Sequence, residues 1–453
     1  VFLRKNVLLN AKISRFRSHW ELEEYTLAEN KRAGAARGKE YSMDKKLRET
    51  AETILHSALR AVQPDAAVRR ALENAAFPGR VCLVAVGKAA WQMAHAAYET
   101  LGERISGGIV VTKYEHARGP IGPLRIREAG HPVADENSFA AAKEVLEMTA
   151  GLRADDTVLF LVSGGGSALF ELPLIEPAEQ QEITRQLLAC GADIVEMNTI
   201  RKRLSAVKGG RFAQHCSPAH VFSIVLSDII GDPLDMIASG PAYPDASTEE
   251  QALEIVRKYD LRLSEQAMDC LRKPTPKMLS NVETHVTGSV RELCAAAMRE
   301  AEALGFRCQM LTDCLCCQAK EAGSFLASVA RSHQDTGVPL AFLAGGETTV
   351  QLTGSGLGGR NQELALAAAP GISGLRQTAV FSFGSDGTDG PTDAAGGYAD
   401  QDTLAALQSA GWDAVQTLRD NDAYHALQAV GGLLMTGPTG TNVNDLAMVL
   451  VAR

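Results

Sequence analysis

No apolar run in this 453-residue sequence approaches the roughly 20 residues that a helix needs to cross a bilayer. The longest, VCLVAV at 81–86 and TVLFLV at 157–162, have the length of buried strands. Cysteine is scarce and unevenly placed: nine in all, an odd number, which excludes a complete disulfide framework and fits a reducing cytosol. A surplus of positive charge is missing as well. With 45 Lys and Arg against 54 Asp and Glu, a net charge of -9, the chain lacks the basic excess that unspecific nucleic-acid binding draws on, although a local basic pocket for a small anion remains allowed. GxxxxGK[ST] occurs nowhere, which excludes a Walker-type NTPase, and there is neither an EF-hand pattern nor an internal repeat of short fixed period.

What is present is ordinary for a globular protein: 45% apolar and 22% charged residues, in a length that suits two or three domains. Residues 1–42 differ from the rest. VFLRKNVLLNAKISRFRSHW mixes basic and apolar residues, and Arg4 and Lys5 interrupt the apolar stretch a signal peptide needs. Four glutamates, Glu21, Glu23, Glu24 and Glu29, argue against a mitochondrial presequence. The segment reads as an extension translated ahead of a start at Met43.

From Met43 onward short β-branched runs alternate with segments of helical apolar spacing. Strands are expected at 81–86, 107–112, 157–162 and 221–226, and helices at 45–62, 89–101, 136–149 and 178–190. After a Pro-containing stretch at 273–277 the pattern resumes, with strands at 283–287, 307–312 and 340–344 and helices at 289–304 and 318–333. Such alternation implies parallel pairing with helices on both sheet faces. A boundary near 275 divides the chain into domains 43–275 and 276–453.

In open α/β sheets ligands bind beyond the carboxyl ends of the strands, and four strand ends here are unusual. Gly87-Lys88 follows VCLVAV, SGGGSAL follows TVLFLV, SDIIGDPLD follows VFSIVL, and SDGTDGPTDAAGG follows AVFSFG. Three consecutive glycines cost backbone entropy that a plain turn does not require, whereas bare N–H groups can converge on an anion. Lys88 stands where its ammonium could reach a phosphate or carboxylate. Asp386, Asp389 and Asp393 share one glycine-rich loop, a carboxylate set suited to Mg²⁺, and Asp228, Asp232 and Asp235 form a second cluster. A carboxylate from either could hold metal or act as a base toward a hydroxyl.

GSGLGG at 354–359 satisfies GxGxxG, but it follows an expected hairpin with strands at 340–344 and 348–353, and no acidic residue lies about 20 positions on to hold a ribose. Cys308, Cys314, Cys316 and Cys317 lack the paired spacing of a zinc site.

Taken together, VAVGKAA (84–90), GHPVADENS (130–138), LVSGGGSAL (161–169), NTIRKRLSAVKGGR (198–211), SDIIGDPLDMIASGPAYPD (227–245), GGETTVQLTGSGLGGRNQELAL (345–366), GSDGTDGPTDAAGG (384–397) and TGPTGTNVNDL (436–446) closely resemble the glycerate 2-kinases with a C-terminal MOFRL domain. The strings cover nearly everything after Met43 in family order. The resemblance implies two α/β domains, the first Rossmann-like with a mostly parallel sheet, and an active site in the cleft between them. It implies ATP-dependent, Mg²⁺-requiring phosphorylation of D-glycerate at the 2-hydroxyl, in glyoxylate, serine or tartrate metabolism. Some relatives are labelled hydroxypyruvate reductases, which makes an NAD(P)H-dependent reductase the alternative.

On the family's pattern Lys88 and Arg360 are the active-site cations. Ser163, Gly164, Gly165, Gly166 and Ser167 form the nucleotide-phosphate loop, and Glu347, Asn361 and Lys208 are further contacts in the cleft. Arg201 and Lys202 add positive charge, Asp386 and Asp389 are the expected metal ligands, and Asp228 is the expected proton acceptor. His131 lies in a family string as a structural imidazole or a substrate contact. The partners expected are D-glycerate and ATP, without nucleic acid or membrane, and a homodimer is left open. Two departures stand out: the extension 1–42 has no family counterpart, and DCLCCQAKEAG (313–323) replaces the usual helix start, leaving that helix's cap in doubt.

Overall fold

In a computed structural model, residues 44–231 and 233–452 are described. The expected extension at 1–42 lies outside them, as does Asp232. Among the described residues twelve strands form two six-stranded sheets. The first contains β1 (Val81–Val86), β2 (Ile105–Lys113), β3 (Leu124–Ala129), β4 (Thr157–Val162), β5 (His220–Leu226) and β6 (Val282–Gly288), in the order β3-β2-β1-β4-β5-β6. Every pairing in it is parallel. Strands β1 and β4 are buried along their whole length because helices cover both faces, which is why they read as unbroken apolar runs. The strand order reverses direction between β1 and β4, so the loops that follow these strands diverge and leave a crevice at their carboxyl ends.

The second sheet has the order β11-β10-β9-β12-β8-β7, from β7 (Arg307–Leu315), β8 (Leu340–Gly346), β9 (Thr378–Gly384), β10 (Gly396–Asp400), β11 (Leu433–Leu434) and β12 (Asp445–Val451). Here the expectation of parallel pairing needs correction. Only β7 and β8 run parallel; the other four pairings are antiparallel. A parallel return needs a crossover, and between β9 and β10 there is only the glycine-rich loop 385–395. Strand β12 lies between β8 and β9 and opposes both, so its first residue, Asp445, sits beside Gly346 and Gly384 at their carboxyl ends.

The domain division is less simple than a cut near 275. Strand β6 joins the first sheet although it follows that point. Helix α1 (Lys45–Ala61), capped by Asp44 accepting from the Leu47 N–H, packs with the second sheet. Its apolar face, Leu47, Ala51, Ile54, Leu55 and Ala58, shares a core with Leu293, Phe381 and Phe383. Burying each such leucine or isoleucine contributes about 1.5–3 kcal/mol. Residues 348–353, expected as a strand, form no strand; Thr349 makes a single bridge to Gln318. Helix α6 (Ala319–Ser332) begins at Gln318 without a side-chain cap, which resolves the doubt raised by 313–323. Among the described residues no helix is long and apolar enough to cross a membrane.

Candidate active site

The crevice begins with two interlocked turns. After β1, Gly87 takes a left-handed φ of 123°, and the N–H groups of Lys88 and Ala89 donate to the Gly164 carbonyl (2.9 Å) and Ser163 Oγ (3.1 Å). After β4, Gly165 is left-handed (φ 86°, ψ -4°) and leads into the short helical turn Gly166–Leu169. A side chain at Gly164 would run into the Asp228 carboxylate and displace it. Among the described residues, the backbone N–H groups of Gly164, Gly165, Gly166 and Ser167 have no acceptor. Successive free N–H groups around a left-handed residue make a concave anion cradle. His131 and the stem of Lys88 flank Gly165. Burial, then the charges of Lys88, Lys113 and His116, hold the His131 imidazole below the usual histidine range, so it is neutral at pH 7.

Two cavities open on either side of these turns. One, of about 380 Å³, is lined by Lys88, Trp91, His116, Arg118, Asp386 and Thr441 among others. The second, of about 510 Å³, is lined by Ser167, Asn198, Arg201, Ile230, Met236 and Glu347 among others. Gly164 and Asp228 line both, so they mark where the two lobes of the cleft meet. Burial raises the Asp228 carboxyl above its usual range, the Lys88 charge pulls it down, and Glu347 pushes it up. A carboxylate so perturbed at a cleft junction is suited to accepting a proton.

The second sheet supplies the facing wall. Glu347 follows β8 directly, and Arg360 opens helix α7 (Arg360–Ile372). The Arg360 guanidinium grips Asp445 through Nε (2.5 Å) and Nη2 (3.0 Å) and pairs with Glu347 Oε1 through Nη1 (2.9 Å). Asn444 Nδ2 donates to the Asp228 carbonyl (3.2 Å) and Glu347 Oε2 (3.3 Å), tying the two sheets together across the cleft. Arg360 therefore lines neither lobe itself and acts on the cleft through Glu347.

The structure thus brings Lys88, Ser163, Gly164, Gly165, Ser167, Asp228, Glu347 and Asp386 to the cleft, and leaves Arg360, Gly166, Lys208, Asn361 and Asp389 out of its lining. Lys208 is fully buried, with Nζ paired to Glu171 Oε2 (2.8 Å) and donating to the Phe170 carbonyl (3.0 Å). Asn361 is buried against Ser382 and Asp389. Asp389, 2% exposed, accepts from the N–H groups of Asn361 (3.2 Å) and Gln362 (2.8 Å) and so caps α7; burial pushes its carboxyl up to about 6. Of the two expected metal ligands only Asp386 faces the cavity. Its Oδ1 accepts the Thr388 N–H (3.0 Å), and its other oxygen has no protein partner among the described residues. Trp91, His116, Arg118, Asn198 and Asn444 escaped the sequence reading as site residues. His116 and Arg118 follow β2, where attention to every strand end would have found them.

The GxGxxG string is spent on packing. The Gly354 and Leu357 N–H groups donate to Asn421 Oδ1 and Asp422 Oδ1 (both 2.9 Å), and the Gly356 N–H donates to the Asp420 carbonyl (2.8 Å), leaving no cradle for a pyrophosphate. Cys314, Cys316 and Cys317 are exposed and form no disulfide, and no group of three or more His, Cys, Asp or Glu residues could hold a metal ion among the described residues.

Two family profiles match the chain: one described as a domain of unknown function (DUF4147) over residues 50–272, and the MOFRL family over 340–445. The chain is 51% identical to a D-glycerate 2-kinase of Thermotoga maritima over 411 residues, 89% of this chain and 98% of that protein. The crystal structure of a glycerate kinase from Thermotoga maritima matches with a TM-score of 0.86 at 50% identity, covering 90% of this chain and 100% of that one. A chain of Agrobacterium vitis, 40% identical over 387 residues, 82% of this chain and 100% of that protein, carries a provisional hydroxypyruvate reductase name.

Proposed function

The chain belongs to the glycerate 2-kinase family, and from that premise we propose that it transfers the γ-phosphoryl group of ATP to the 2-hydroxyl of D-glycerate, giving 2-phosphoglycerate and ADP. Within the site, the observation that carries this reading is the run of four N–H groups at 164–167 without an acceptor among the described residues, beside Lys88 and Asp228 where two lobes meet. Phosphoryl transfer asks a protein mainly for positioning and charge neutralisation around an in-line γ-phosphate. Ligands of open α/β sheets bind in the crevice at the switch point, and we place ATP in the lobe of Trp91, His116 and Arg118 and D-glycerate in the lobe of Arg201. The 164–167 cradle then holds β- and γ-phosphate oxygens, and Lys88 neutralises the phosphoryl group in flight. Asp228 receives the 2-hydroxyl proton at the junction. Arg360 holds Glu347 in place on the opposite wall.

A divalent cation fits this site. Mg²⁺ takes one or two carboxylates together with substrate phosphates, and Asp386 offers a carboxylate oxygen free of protein bonds in the ATP lobe. Asp386 would hold it, and the ion would supply charge neutralisation on the phosphate oxygens. Asp389 supports this by fixing the loop and the start of α7.

The test is product identification by phosphorus NMR with D-glycerate, ATP and Mg²⁺, beside a parallel arm with NADH and hydroxypyruvate. A 2-phosphoglycerate resonance with no nicotinamide oxidation is expected; oxidation of NADH without phosphorylation would overturn the assignment. The pH profile supplies a second test. Because the Asp228 pKa is raised and its ionised form is the proton acceptor, kcat is expected to fall as pH drops through that pKa. In Asp228→Asn the acid limb disappears, with kcat above that pKa lower by about 10²–10⁴-fold. An unchanged profile in the variant would remove Asp228 from the mechanism.

A further inference from the structure

The segment that follows the glycine-rich loop carries four cations close together, Arg201, Lys202, Arg203 and Lys208, and three of them are committed to the fold. Lys202, 2% exposed, pairs with Asp235 (2.8 Å) and Asp245 (3.4 Å). Arg203, 1% exposed, donates to the carbonyls of Leu271 (3.0 Å), Lys273 (2.9 Å) and Ser247 (3.0 Å). Lys208 is paired with Glu171. Arg201 alone makes no hydrogen bond and no ion pair among the described residues, and it is the only cation among the residues that line the D-glycerate lobe.

Its position follows from helical periodicity. In helix α4 (Ile194–Arg203), begun by an Asp193/Glu196 capping box, Ile194, Asn198 and Arg201 are spaced four and three apart and so share the face that lines the lobe. Lys202 lies one step round the helix and faces the acidic pair behind it. The floor beside Arg201 is fixed: Ser167 Oγ contacts Ser239 Oγ (3.1 Å), and Ser239 Oγ donates to Asn198 Oδ1 (2.9 Å). Ala238 and Ser239 lie there at left-handed φ of 51° and 60°, uncommon for residues that carry a Cβ. Glu171 is the carboxylate whose field reaches Arg201, and it is already bonded to Lys208, while burial lowers the guanidinium's pKa. Glu347, across the lobe, is held by Arg360.

A half-buried guanidinium without a partner is costly unless an anion arrives to complete it. A planar carboxylate matches its two parallel donors, and D-glycerate brings one into this lobe. We propose that Arg201 grips the carboxylate of D-glycerate and is the residue that makes the enzyme select an acid over a neutral polyol. This rests on the glycerate 2-kinase reading. With the carboxylate anchored on Arg201, the neighbouring 2-hydroxyl can be directed at Asp228, on the boundary with the ATP lobe.

The experiment compares the whole protein with Arg201→Met and Arg201→Lys, using D-glycerate and its neutral amide, D-glyceramide, as acceptors. Arg201→Met is expected to lower kcat/KM for D-glycerate by about 10³-fold, leave that for D-glyceramide within a few fold, and leave the KM for ATP unchanged. Arg201→Lys recovers only part of the loss, because an ammonium cannot bond in the bidentate way. Calorimetric binding to the unsubstituted protein keeps the proposal testable should a variant not fold: D-glycerate binds and D-glyceramide does not compete with it. An unchanged acid-to-amide ratio in folded Arg201→Met, or a raised KM for ATP with D-glycerate constants intact, would overturn the proposal while leaving the kinase reading standing. Absence of any phosphorylation of D-glycerate by the unsubstituted protein would overturn both.

Discussion

Lys88→Ala is expected to lower kcat by about 10³-fold while leaving the thermal unfolding temperature within a degree or so of the parent. The reason lies in what its ammonium does in the free protein, which is nothing structural: it makes no ion pair or hydrogen bond among the described residues and points into the ATP lobe. What the backbone contributes, the Lys88 N–H bond to the Gly164 carbonyl, survives the substitution. The loss therefore falls on the transition state, where charge spreads over the transferring phosphoryl oxygens and a fixed cation in a shielded site is worth most. Single-turnover kinetics read beside calorimetric unfolding separate the two quantities. Retained turnover would remove Lys88 from the reaction, and a large fall in unfolding temperature would make it a structural residue.

The opposite pattern is expected for Lys208. Lys208→Met leaves Glu171 buried without its partner, and breaking a buried pair in this way costs about 3–5 kcal/mol of stability. Glu171 Oε1 already has no hydrogen-bond partner among the described residues, so the pair with Lys208 is the direct contact its carboxylate loses. Removing both charges in Lys208→Met with Glu171→Gln is expected to restore most of that stability, since a buried pair contributes little net energy beyond its own desolvation. The folded enzyme keeps its KM for ATP within a few fold in both variants. Denaturant unfolding of the four proteins in the cycle measures the coupling directly. A single variant that is stable but fails to bind ATP would place Lys208 on the phosphates instead.

These two lysines show what a sequence reveals and what it withholds. Both lie in strings shared with the family, and both are followed by small residues in loops. Lys88 follows a buried strand at the switch point, a location that topology alone makes suspicious. Lys208 lies beyond a helix, and only the packing of Glu171 beneath it decides that its charge is consumed inside. The same holds for Asp386 and Asp389, three residues apart in one glycine-rich loop. One faces the cavity, and the other turns inward to cap α7, a helix start 29 residues earlier in the chain.

The fold divides along the same line. Strands β1, β4 and β5 of the first sheet were legible because burial on both faces leaves continuous apolar runs, and the helices between them force parallel pairing. Strand β3 was not: LRIREA is an edge strand with alternating exposure, too polar to stand out. In the second sheet the order depends on β12 inserting between β8 and β9, a non-local pairing that no local pattern encodes. Helix α1, expected at 45–62 from its apolar stripe, runs over Lys45–Ala61, but which sheet that stripe would cover was decided by Leu293, Phe381 and Phe383, more than 200 residues away.

The measurement that bears most directly on the whole account is amide hydrogen exchange across 160–170 and 194–203, with ATP and with D-glycerate added separately. The N–H groups of 164–167 have no acceptor among the described residues and are expected to exchange fast in the free protein; ATP is expected to slow them, and D-glycerate alone to perturb 194–203 while leaving 164–167 little changed. Protection by ATP at 354–359 with 164–167 still exchanging freely would contradict the account, because the phosphates would then lie on the loop that the fold uses only for packing.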